Sequence, residues 1–97
     1  MEQREAIRLQ PGLTFAHMEL GVALAWKKEY DAAIAEFRIA IQQKPEFAMA
    51  HNFLGNALES KGQLQDAMVE YRKAFELDPS NQRIRDNYER LVKQFNQ

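Results

Sequence analysis

Apolar residues recur three and four positions apart along most of this chain, with polar residues filling the gaps. Ala16, Leu20, Ala23 and Leu24 form one such stripe; Tyr30, Ala33, Ile34, Phe37, Ala40 and Ile41 form the next. That spacing puts each set on one face of an α-helix. With a tight turn near Glu29, the stretch from Thr14 to Pro45 therefore reads as two amphipathic helices. The pattern returns 34 residues later: Leu20-Gly21 falls on Leu54-Gly55, Ala33 on Ala67, Phe37 on Tyr71 and Ala40 on Ala74. The three prolines, Pro11, Pro45 and Pro79, keep the same 34-residue spacing. A fixed period of this size marks an array of supersecondary units, none of which buries its apolar face alone. A last stripe of Ile84, Tyr88, Leu91, Val92 and Phe95, with Arg85, Asp86, Glu89, Arg90 and Lys93 elsewhere, predicts a final helix over Asn81 to Gln97. Ser80 is its expected N-cap. One apolar and one charged side is what the end of a stack requires.

Three local features refine the picture. Gly21 and Gly55 fall mid-helix, where glycine costs about 1 kcal/mol against alanine; the expected compensation is the close approach of a neighbouring helix. Gly62, just past Lys61, ends a helix in the left-handed conformation at no steric cost. Lys28 holds the matching place in the first copy, at a cost of about 1 kcal/mol if the backbone is the same. At the start of the chain, Ala6 and Leu9 align with Ala74 and Leu77, so residues 2–10 read as a second helix without its first. Pro11-Gly12 is expected to end that helix. Its Ala6/Ile7 side would need cover from a longer array or from another chain.

Composition narrows the function. At 97 residues the chain is one domain, and much of its 45% hydrophobic fraction is alanine. A net charge of −1 with 28% charged residues carries no electrostatic footprint for nucleic acid or an anionic membrane. The absence of cysteine excludes disulfides, thiolate metal sites and thiol nucleophiles. No apolar run approaches the ~20 residues that span a bilayer. The polar N-terminus is no signal peptide, so a soluble protein is expected, with the cytoplasm as default compartment.

Candidate chemistry is sparse. His17 and His51 hold equivalent places in successive copies, and neither has a nearby set of metal ligands, so a structural role is expected for both. Ser60 and Ser80 lack a neighbouring histidine, and there is no glycine-rich phosphate loop. The carboxylates, Glu36, Glu70 and Glu89 among them, are expected on solvated faces. The sequence predicts no catalytic residue, no metal and no cofactor.

Leu-Gly, then an alanine followed four residues later by an aromatic, then proline, at a spacing of 34, resembles the tetratricopeptide repeat (TPR). His17, Leu20, Gly21, Leu24, Ala33, Phe37 and Pro45 carry the likeness, with His51, Leu54, Gly55, Leu58, Ala67, Tyr71 and Pro79 in the second copy. The resemblance implies an all-α fold, a right-handed α-solenoid of antiparallel helix pairs closed by a C-terminal capping helix. The implied division is a partial repeat over 1–11, repeats over 14–47 and 48–81, and a cap over 82–97. In this family the first helices of the repeats line a concave groove. Spacing then picks the groove residues: Phe15, Met18, Val22, Ala25 and Trp26; Met49, Asn52, Asn56 and Glu59; Arg83, Asp86, Arg90 and Lys93. Asn52 and Asn56 are expected to clamp a peptide backbone, and Arg83 and Arg90 to favour carboxylates. A subset of the family holds a C-terminal carboxylate with Lys and Asn, where this chain has Met18, Val22 and Phe53, so recognition of that kind is not expected. The implied function is a non-catalytic interaction module or scaffold whose partner is a peptide segment of another protein. The alternatives are self-assembly, as a homo-oligomer through the N-terminal helix, and an accessory arm of a larger enzyme.

Overall fold

A computed structural model of the chain describes residues 11–96. Five helices follow one another: α1 (Pro11–Trp26), α2 (Tyr30–Gln43), α3 (Ala48–Ser60), α4 (Leu64–Leu77) and α5 (Gln82–Phe95). Among the described residues there is no strand. Each helix packs on the next, and α3 also touches α1 and α5, so the first helices of successive pairs lie side by side. This is the all-α solenoid that the 34-residue period predicts.

The two hairpin turns share one geometry. In the first, the Glu29 amide donates to Leu24 O and the Lys28 amide to Ala25 O, each at 2.9 Å; in the second, Gln63 donates to Leu58 O and Gly62 to Glu59 O, again at 2.9 Å. Such bonds satisfy the carbonyls a helix end leaves open, and they need one left-handed residue. Gly62 takes that place with φ 83°, and Lys28 with φ 64°. The first copy thus carries the expected strain.

The mid-helix glycines are explained by aromatic rings. A Cβ on Gly21 would lie 2.6 Å from Phe37 Cε1, and a Cβ on Gly55 2.7 Å from Tyr71 Cδ1 and Cε1. Both rings come from the second helix of the same pair, and both are buried with Ala33, Leu54, Leu58, Ala67 and Leu91 in one core.

Burial of the first helices differs between copies. Ala50, Leu54, Ala57 and Leu58 are all buried in α3. Their counterparts in α1 are not: Ala16 and Ala23 are exposed, Leu24 is half-buried, and Leu20 is 48% exposed. The expected α1 stripe is therefore corrected. A first helix is covered partly by the second helix of the preceding pair, as α2 covers α3. The segment that would play this part for α1 is 1–10, so the expectations for that segment, including self-association through it, fall outside the described residues.

Two helix starts also differ from expectation. Pro11 opens α1 instead of only closing what precedes it; at the first helical position proline loses no hydrogen bond. Asn81, not Ser80, caps α5, its side-chain oxygen accepting from the Ile84 amide at 3.2 Å. Ser80 donates to Asp78 instead.

Candidate partner-binding surface

Where α1 and α3 run side by side, the structure leaves an open hollow of about 390 Å³. Val22, Ala25 and Trp26 of α1 form one wall, and Phe53, Asn56 and Ser60 of α3 the other. The ring of Phe37 and the methyl of Ala57, both core residues, make the floor, while Lys28 and Tyr30 close the end at the turn. Phe53 is held by stacking on Phe37, with centroids 5.9 Å apart. Trp26 is 84% exposed and serves no core.

Next to this hollow, Asn52, Asn56 and Glu59 of α3 and Arg90 of α5, all predicted groove residues, join a polar network. The Tyr71 hydroxyl lies 2.6 Å from Asn56 Oδ1 and 2.7 Å from Glu59 Oε1. Arg90 grips Glu59 with two N–H donors, at 2.5 and 3.0 Å. Asn87 Nδ2 donates to Asn52 Oδ1 at 3.1 Å and reaches Asn56 Oδ1 at 3.5 Å, and Arg90 in turn donates to Asn87. The Arg90 guanidinium holds Glu59 below the usual carboxylate range, with Tyr71 adding to the effect and burial opposing it. Burial first, then the bond to Glu59, pushes the Tyr71 phenol well above its ordinary value.

Several expectations about the groove are corrected here. Asn52 is fully buried, so it presents no amide to a ligand. Asn56 is half-buried with its oxygen taken by Tyr71, and Arg90 is committed to Glu59. Met18 and Val22 pack partly against the core. Phe15 sits edge-to-face on Phe47, centroids 5.1 Å apart, with Lys44 Nζ within 6 Å of both rings. Met49 sulfur receives the Asn81 amide at 3.6 Å. Asp86 is exposed and accepts from Gln82, and Arg83 is exposed on the same helix. Of the predicted set, the hollow brings together Val22, Ala25, Trp26 and Asn56.

The network was legible in a comparison of the two copies. Adding 34 converts Phe37 to Tyr71, Val22 to Asn56 and Ala25 to Glu59. Where the ring gains a hydroxyl, the two residues facing it change from apolar to polar, because a buried hydroxyl without a partner is costly.

The histidines have partners 19 residues on, in both copies. His17 Nδ1 lies 2.6 Å from Glu36 Oε1, and His51 Nδ1 lies 2.8 Å from Glu70 Oε1. His51 Nε2 also lies 2.8 Å from the Pro45 carbonyl oxygen. A carboxylate and a carbonyl only accept, so partners at both nitrogens of His51 favour the protonated ring, in which both nitrogens donate. Its pKa is raised, chiefly by the Glu70 bond and further by Pro45, against an opposing effect of burial. Glu36 and Glu70 are therefore not the free solvating carboxylates expected; they tie the two helices of each pair together. Among the described residues, no three His, Cys, Asp or Glu side chains cluster to hold a metal ion, and no helix is long and apolar enough to cross a membrane.

Comparison with known proteins decides the family. The family model described as tetratricopeptide repeat matches residues 4–46 and 27–82. The chain belongs to the tetratricopeptide repeat family. Solved TPR structures share its architecture. The first TPR domain of Spaghetti (RPAP3), bound to the HSP90 peptide SRMEEVD, superposes with a TM-score of 0.80 at 17% identity, over 87% of this chain and 67% of that one. The C-terminal TPR-containing domain of a Plasmodium falciparum protein described as FK506-binding superposes with a TM-score of 0.74 at 28% identity. That match covers 82% of this TPR chain and 53% of the Plasmodium one, so the chain spans about half of that relative. No curated protein matches the sequence.

Proposed function

We propose that this TPR chain is a non-catalytic protein-interaction module, and that it takes a short peptide segment of another protein in the hollow between α1 and α3. One observation carries the reading: Trp26, 84% exposed, stands at the rim of an apolar hollow whose floor is the core itself. An aromatic surface beside a concavity is the usual form of an energetic anchor for a partner. The Spaghetti TPR domain, of the same fold and solved with a peptide, supports this use of the architecture. Asn52 and Arg90, bonded within the protein, take no part in the reading. An affinity near 1 μM, about −8 kcal/mol, is what a groove this small supplies after ordering costs. The test is to select peptides from a random library on the full chain and measure their affinities by anisotropy. Trp26→Ala is expected to weaken them tenfold or more while leaving thermal unfolding unchanged. Selected peptides that bind Trp26→Ala as tightly as the parent would sink the proposal.

A further inference from the structure

The α1 wall of the hollow and the turn that closes it use residues that the second copy replaces. Shifting by 34 turns Val22, Trp26 and Lys28 into Asn56, Ser60 and Gly62. The last difference bears on function. Both turns need a left-handed residue, and Gly62 meets that need without strain, whereas Lys28 holds φ 64°. Strained residues of this kind concentrate where a side chain is wanted at a ligand site. Among the described residues, Lys28 is the sole charged residue lining the hollow, and the others that line it are apolar or uncharged. The nearest carboxylate of the network, Glu59, is already neutralised by Arg90.

Resting on the function proposed above, we infer that the peptide recognised here carries a bulky apolar side chain next to an Asp or Glu. The apolar side chain enters between Trp26 and Phe53 above Phe37. The neighbouring carboxylate meets the Lys28 ammonium at the turn. This explains in one statement why a lysine stands at a position where glycine is better for the fold, and why the only tryptophan of the sequence lies two residues before it. The acidic group is a side chain within the peptide, so a free C-terminus is not required.

The test uses the full chain and a bead-displayed library of random octapeptides with blocked ends. Trp26 is the single tryptophan, so its emission reports occupancy of the hollow directly. Enriched peptides are expected to pair Leu, Ile, Met or Phe with an adjacent Asp or Glu and to shift Trp26 emission to the blue. Lys28→Gly, which relieves the backbone and so keeps the fold, is expected to lower affinity for such a peptide about fivefold. The same variant should leave affinity for the Glu→Gln analogue unchanged. Peptides that bind without moving Trp26 emission, or an acid preference that is missing or survives Lys28→Gly, overturn this inference and leave the interaction module standing. A library that yields no binder overturns both.

Discussion

Replacing Gly55 with alanine tests the packing that joins core and network. The added Cβ would stand 2.7 Å from two carbons of the Tyr71 ring and 3.2 Å from a third, against ordinary contacts that begin at 3.4 Å. The ring must retreat by about 0.7 Å, and Tyr71 is fully buried with its hydroxyl bonded at 2.6 and 2.7 Å. Overpacking costs about 1–3 kcal/mol. Loosening a hydroxyl from a charged acceptor adds about 1.5–3 kcal/mol, and helix propensity returns about 1 kcal/mol. The net destabilisation is about 1.5–5 kcal/mol. At Gly21 the overlap with Phe37 is slightly worse, 2.6 Å. Yet Phe37 has no hydroxyl to hold it and borders the open hollow. Gly21→Ala should therefore cost only about 0–2 kcal/mol, overpacking less propensity. Urea unfolding followed by helical circular dichroism measures both. The reasoning fails if Gly21→Ala costs as much as Gly55→Ala. In a double-mutant cycle, Tyr71→Phe should recover part of the Gly55→Ala loss, because it unties the ring.

Two further outcomes follow from the turns and the histidines. Lys28→Gly should stabilise the fold by about 0.5–1 kcal/mol by relieving the left-handed lysine, and Gly62→Lys should destabilise it by about as much; thermal melts of the two variants compare them directly. His51→Gln should be most damaging in mild acid. The folded-state pKa of His51 lies above 6.5, so its contribution is fully present below pH 6.5 and fades as pH rises through the folded value. The stability gap between parent and variant, measured by urea titration across that range, should narrow with rising pH; a gap that widens contradicts the assignment of the imidazolium.

The sequence by itself determined the architecture. A 34-residue period in Leu-Gly, alanine and aromatic positions leaves few ways to bury an apolar stripe, and the structure uses the stacked hairpins that the period demands. The strain at Lys28 was legible too, because it depends on local backbone geometry, and a mid-helix glycine at Gly21 and Gly55 announced a close neighbour without naming the ring that makes it. What only the tertiary structure decided was which polar residues face water. Periodicity assigns Asn52 and Arg90 to a groove face, but it is blind to Asn87 meeting Asn52 and Glu59 meeting Arg90 from another helix. Likewise Leu20 and Leu54 hold equivalent places in the repeat and differ in burial, and Leu54 lies on the helix that α2 packs against. Helix periodicity is a property of one segment; the fate of a polar atom depends on partners that only folding brings within 3 Å.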